Sequence, residues 1–188
     1  MVSSEPVITE FMQNASPSQI RTFVASCAER MAQLFTGVVG MDATRSLDVE
    51  SAIDCLDLLW KPQSQASWGE KVEKLGALPE LVGEEEPSGL LAYAYDAAAT
   101  LYYAAKYRET GSIVDAVSCS NHALNSAEFV SEELADGVDR YEIELGNQRA
   151  DIASVCGSDD PGDHDLLQFM RERAREQARA RLVELTSR

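Results

Sequence analysis

The sequence has little of what metal-dependent and nucleophilic enzymes require. It holds two histidines, and none of its four cysteines lies in a CxxC pair. It contains no Glu-x-x-His, HExxH, GxSxG, P-loop or GxGxxG pattern, and these patterns place metal ligands, nucleophiles and phosphate-binding loops. The absences favour a non-enzymatic protein that uses neither a metal nor a cofactor.

Long apolar runs are also absent. No apolar segment reaches 18 residues, so the sequence predicts no transmembrane helix. The first ten residues, MVSSEPVITE, contain acids and a proline where a signal peptide has a basic stretch and an apolar run. We therefore expect a cytoplasmic protein. The spacing of Cys27, Cys55, Cys119 and Cys156 fits no zinc pattern, which favours four buried, reduced thiols.

Basic residues are scarce except at the end of the chain. The net charge is −16, yet residues 171–188 carry six arginines and three acids. An acidic protein repels nucleic acid and anionic membranes and attracts cationic proteins, so we expect a basic protein partner. The candidate partner-binding residues are the acids Glu84, Glu85, Glu86, Glu132, Glu133, Asp136 and Asp139.

Helical patterns fill most of the sequence. Residues 90–105, LLAYAYDAAATLYYAA, are apolar on every face and carry Asp96 as their one charge, which predicts a buried central helix over about 88–108. Capping and periodicity predict further helices over about 17–35, 46–60, 68–76, 112–134, 138–155 and 163–186. We expect one all-α domain, residues 1–188, built as a bundle of six to eight helices. The last helix, 163–186, follows a Gly- and Asp-rich connector and is predicted to be mobile.

Asp96 requires a partner, because an isolated buried charge is too costly. Arg30 lies on the same helix face as several apolar residues, so it should face the interior. We therefore predict an Arg30–Asp96 contact with Glu29 nearby. Such a pair is either a ligand-binding or catalytic site or a structural ion pair, and the structural interpretation is favoured. His122 shares a helix face with polar residues and is predicted to point outward.

Two other charge patterns have simple interpretations. Asp54 and Asp57 belong to a continuous polar stripe at helical spacing, which predicts a solvated helix face rather than a metal site. Arg171, Arg175 and Arg179 are four residues apart on one face of the last helix. This spacing favours a helix with local ion pairs that is docked on the acidic body.

Three segments carry a family resemblance. Residues 23–30 (FVASCAER), 52–60 (AIDCLDLLW) and 95–98 (YDAA) resemble, in order, motifs of the YjaG-like bacterial proteins, a family called domain of unknown function 416. The resemblance spans about residues 20–155 and implies an all-α, cytoplasmic bacterial protein without supplying a reaction. It marks Cys27, Glu29, Arg30, Asp57, Trp60 and Asp96 as the pattern-bearing positions.

Three functions are compatible with these patterns. The first is an acidic interaction protein, most concretely an immunity protein that binds and occludes a cationic, nuclease-type toxin, because complementary charge gives on-rate and specificity. The second is a small-ligand-binding or enzymatic bundle that uses Arg30 and Asp96. The third is a housekeeping adaptor that self-associates when its Arg-rich last helix docks on an acidic neighbouring subunit.

Overall fold

The fold is all-α, as the sequence predicts. A computed structural model describes residues 5–62, 67–83 and 89–186, and these residues form helices and connecting turns without a strand. The helices are α1 (Pro6–Asn14), α2 (Pro17–Val39), α3 (Ser46–Leu59), α4 (Trp68–Gly76), α5 (Pro79–Val82), α6 (Leu90–Thr110), α7 (Ile113–Leu134), α8 (Arg140–Cys156) and α9 (His164–Thr186), with a 3₁₀ turn at Ala43–Arg45. The described residues thus hold more helices than predicted, because α1 and the one-turn α5 lie outside the predicted helical ranges.

Side-chain capping starts some of the helices. The Ser16 hydroxyl accepts a hydrogen bond from the Gln19 amide (3.3 Å), and the Gln19 side chain accepts one from the Ser16 amide (2.8 Å). This reciprocal capping box starts α2. Ser112 takes the N-cap position of α7 without a side-chain cap bond. Asp139 caps α8 by accepting from the Glu142 amide at 3.0 Å.

Helices α2 and α6 lie at the centre of the bundle. Helix α2 packs against α3, α6, α7, α8 and α9, and α6 packs against α2, α3, α4, α5 and α7. Helix α2 buries even its charged residues Glu29 and Arg30. The predicted burial of α6 on every face is wrong, because Leu91 is exposed and Tyr102 and Tyr103 are half-buried. The fully buried charges therefore lie on α2 and, as Glu144 and Asp151, on α8 rather than on α6.

Helix α9 packs along α2 and runs parallel to it. Its residues Met170, Ala174 and Ala178 are buried, and Gly37 of α2 leaves space for Leu182. The last helix therefore docks on the body of its own chain, and the mobility predicted for it stays a prediction. None of the described helices is both long and apolar enough to cross a membrane.

Candidate functional site

Arg30 is the centre of a buried ion-pair network. Its side chain is 1% exposed, and its Nε donates to both carboxylate oxygens of Glu144 at 3.0 and 3.2 Å. Nη1 donates to the Ser26 hydroxyl (3.0 Å) and to Asp151. The predicted Arg30–Asp96 contact is wrong, because α8 and not α6 supplies the carboxylates that neutralise Arg30.

One face of α8 provides these carboxylates. Glu144, Gln148 and Asp151 recur at spacings of four and three and are completely buried, as residues on one side of a helix are. The Gln148 amide donates to Glu144 (3.1 Å) and to the Ser120 carbonyl (3.2 Å), and it accepts from the Ser120 hydroxyl (2.6 Å). The sequence carries a signal here, because three polar residues recur at helical spacing, but apolar periodicity alone does not show that this polar face is buried.

Two arginines of α9 complete the network. Arg181 donates to Glu144 at 2.8 Å and Arg173 donates to Asp151 at 2.6 Å. Burial alone would raise the pKa of Glu144, but the charges of Arg30 and Arg181 outweigh it and hold this pKa below its usual value. Each buried charge thus has a hydrogen-bonded counter-charge, which is the condition for a tolerable buried ion pair.

Glu29 centres a second cluster beside the first. The Trp60 indole donates to Glu29 at 2.7 Å, and Arg171 and Arg175 donate to it at 3.0 and 2.8 Å. Arg171 also pairs with Asp57. Three of the pattern-bearing positions, Glu29, Asp57 and Trp60, thus lie together. Trp60 bonds Glu29 directly, and Arg171 of α9 bridges Glu29 and Asp57. The α9 arginines make these ion pairs across helices rather than within their own helix as predicted.

The cysteines differ in their surroundings. Cys27, Cys55 and Cys119 are buried free thiols, whereas Cys156 is exposed, which contradicts the predicted burial of all four. Burial raises the pKa of Cys27 well above its usual value and that of Cys55 to about 12. A thiol that holds its proton is a poor nucleophile, so neither cysteine is prepared for covalent catalysis.

Asp96 pairs with His122 instead of Arg30. The His122 Nδ1 lies 3.0 Å from an Asp96 carboxylate oxygen, and the side chains are 19% and 14% exposed. The Tyr103 ring stacks on the imidazole with centroids 5.4 Å apart, and Tyr95 contacts it edge-on at 5.9 Å. The outward orientation predicted for His122 is therefore wrong, because α6 covers this part of α7.

Four of the seven candidate acids, Glu132, Glu133, Asp136 and Asp139, lie at or beside the turn between α7 and α8. Glu132, Glu133 and Asp139 are exposed. Arg140 donates to both carboxylate oxygens of Asp136 at 2.7 Å and to Glu184 at 2.9 Å. The remaining candidates, Glu84, Glu85 and Glu86, lie outside the described residues.

A groove of about 1050 Å³ opens at the other end of α8 and α9. It lies between the first turns of α2 and α9 and the end of α3, and its cationic lining includes Arg21, Lys61, Arg171 and Arg175. Sequence reasoning missed it, because Arg21 and Lys61 lie 40 residues apart and form no motif. In the described part of the chain, no group of three or more His, Cys, Asp and Glu residues is placed to bind a metal ion.

Comparisons with known proteins return no match to any family model, curated protein or solved structure. The resemblance to the YjaG-like family therefore stays an expectation from the sequence motifs.

Proposed function

We propose that this protein is an acidic interaction protein that binds a basic partner protein through the turn between α7 and α8. Its most concrete form is an immunity protein that occludes a cationic, nuclease-type toxin, with its carboxylates standing in for substrate phosphates. The observation that carries the proposal is the charge of this turn: residues 128–142 hold six acids and one base.

The acidic turn is anchored while its outermost carboxylates stay available. Arg140, which is itself 8% exposed, ties Asp136 to Glu184 of α9, and its backbone amide donates to the Ser131 hydroxyl at 2.8 Å. Charges held on a rigid backbone lose less entropy on binding. Fixed negative charges also steer a basic partner from a distance.

The alternative of a reaction centred on Arg30 and Asp96 has less support. The two side chains belong to separate clusters, and Arg30 directs its donors to Glu144, Asp151, Ser26 and Cys27. A buried, fully paired arginine has no donor left for a substrate. We therefore assign the Arg30 network to stability and the exposed acids to binding.

A pull-down of tagged protein from its native lysate, at low and high salt with mass spectrometry, would identify the partner. We expect a near-stoichiometric basic protein that is lost at high salt, because exposed charge pairs are screened. The purified partner should be toxic or nucleolytic, and the protein should inhibit it at a one-to-one ratio. Retention at high salt, or a partner without such an activity, would contradict the immunity form.

A matched pair of triple variants would locate the surface. The first replaces Glu132 and Glu133 with Gln and Asp139 with Asn, which keeps an N-cap acceptor for α8. The control neutralises three exposed acids elsewhere, namely Glu50→Gln, Asp54→Asn and Glu73→Gln. We expect the association rate to fall about tenfold for the first variant and less than twofold for the control. Equal effects would show that only the net charge matters.

A further inference from the structure

The groove between the starts of α2 and α9 is unusual for a protein of net charge −16. Four arginine and lysine side chains line it against two acids, Asp160 and Glu172. Both acids already accept local hydrogen bonds, Asp160 from the Gly162 amide (2.8 Å) and Glu172 from the Gln168 amide (2.9 Å). Cationic side chains therefore outnumber acidic ones two to one in its lining, although the connector and the first turn of α9 beside it also carry Asp159, Asp163 and Asp165.

Two of the cations have no carboxylate partner among the described residues. The Arg21 Nε donates only to the Pro17 carbonyl, at 3.2 Å, within its own helix. Lys61 is exposed and forms no ion pair with any described carboxylate. By contrast, Arg171 and Arg175 share Glu29 behind the groove. Arg21 and Lys61 thus keep donors that an anion in the groove can use.

A further cation, Arg108, increases the positive potential. Arg108 lies at a narrow extension of the groove with Arg21 and donates to the carbonyls of Leu59 (2.9 Å) and Lys61 (3.2 Å). Burial, together with the nearby charge of Arg21, lowers the pKa of Arg108 to about 10. The charges of Arg21 and Arg108 repel each other, and a bound anion would relieve that repulsion. Arg108 also fixes the backbone from which Lys61 projects.

The groove has an apolar side as well. Trp60, Pro62 and Leu167 line it beside the cations, and the hydrogen bond from Trp60 to Glu29 fixes the indole plane. Small-ligand sites combine an apolar wall with a few placed polar groups. The first turns of two long helices, α2 and α9, also border the groove, and their dipoles add to its positive potential.

We propose that this groove binds a small organic polyanion, whose phosphate or carboxylate groups pair with Arg21 and Lys61 while its apolar part lies against Trp60, Pro62 and Leu167. The site is independent of the acidic turn, from which it is separated by most of the length of α9. The two proposals therefore fail or succeed separately.

Isothermal titration calorimetry at low ionic strength would test the site with two probes, inorganic tripolyphosphate and citrate. We expect saturable binding of at least one probe, and the stronger probe identifies the phosphate or the carboxylate class. The double variant Arg21→Ala/Lys61→Ala should weaken binding by about tenfold or more, because it removes two charge-assisted contacts. It should fold normally, since neither side chain bonds beyond its own helix turn.

The matched control is Arg149→Ala/Arg179→Ala, which removes the same charge from exposed positions outside the groove. It should change the affinity less than about twofold, because exposed charges far from the site are screened. Equal weakening by both double variants would overturn the proposal, because binding would then depend on net charge alone. Absence of saturable binding for both probes at millimolar concentration would overturn it too. Thermal unfolding followed by circular dichroism would verify that both variants are folded.

Discussion

The two ends of the α8–α9 helix pair present different unpaired charges. One end holds the acidic turn with Glu132, Glu133 and Asp139, and the other opens into the groove with Arg21 and Lys61. The ends are about 30 Å apart, given the rise per residue of a helix of this length. Net charge alone points to a uniformly acidic surface, whereas the fold places exposed carboxylates at one end and two cations without a carboxylate partner among the described residues at the other.

The two ends also differ in how their charges are held. At the acidic end a buried arginine, Arg140, anchors Asp136, and the outer carboxylates are left exposed. At the groove end Glu29 neutralises Arg171 and Arg175, and the unpaired cations Arg21 and Lys61 line the same groove. At each end paired charges thus lie beside unpaired ones, and the Arg30 network joins the two ends through α8 and α9.

Removing the hub of that network should have the largest effect on both ends. Arg30→Met leaves Glu144 and Asp151 buried with fewer counter-charges. Breaking a buried ion pair on one side costs about 3–5 kcal/mol of unfolding free energy, which urea denaturation would measure. The docking of α8 and α9 on α2 should weaken, so binding at the acidic turn and at the groove should fall together.

Arg149→Met is the matched control for that variant, because Arg149 is exposed on α8. It should change the unfolding free energy by less than about 0.5 kcal/mol. If Arg30→Met destabilises the protein no more than the control does, the network does not hold the two ends in place.

More of the fold than of the candidate site could be predicted from the sequence. Helical periodicity and caps placed α4 at its observed residues, 68–76, and the start of α9 within one residue, because these signals are local. The partner of Arg30 could not be predicted in this way. Asp96 was the conspicuous charge in an apolar helix, but Arg30 pairs with α8, 114 residues further along the chain. Which helices face each other is decided by packing of the whole chain.

The groove illustrates the same limit. Arg21 lies near the start of α2 and Lys61 just after the end of α3, and each is an ordinary surface residue in the sequence. Only the parallel docking of α9 on α2 brings their surroundings into one cavity. By contrast, the acids of the α7–α8 turn are neighbours in sequence, so the local charge pattern predicts the cluster, and its role in binding stays a prediction.

Lowering the pH should destabilise the Arg30 network, which joins the two ends through α8 and α9. The pKa of Glu144 is lower in the folded protein than the ordinary value of 4.5, because Arg30 and Arg181 outweigh its burial. The folded state then binds fewer protons than the unfolded state, so this contribution to stability is complete above pH 4.5 and is lost as the pH falls through the lower folded pKa. Urea denaturation between about pH 7 and pH 3 would measure the decline.

The variant Glu144→Gln measures how much of the loss of stability in acid is due to protonation of Glu144. The variant is less stable at neutral pH, because its amide leaves Arg30 and Arg181 without one carboxylate. Its unfolding free energy should fall less steeply below pH 4.5 than that of the unchanged protein. Parallel pH profiles would assign the acid sensitivity to other carboxylates, such as Glu80, whose bond to Arg45 outweighs its burial and lowers its pKa.

Asp96→Asn should have the smallest effect and supplies an internal reference for both ends. Asp96 is not among the residues that line the groove or form the acidic turn, and its asparagine replacement keeps an oxygen that can accept from His122. We expect a loss of less than about 1 kcal/mol in unfolding free energy and unchanged binding of both the basic partner and the polyanion probes. A loss of either ligand by a stably folded Asp96→Asn variant would move the functional site to the Asp96–His122 pair, because neither end of the molecule would then account for the binding.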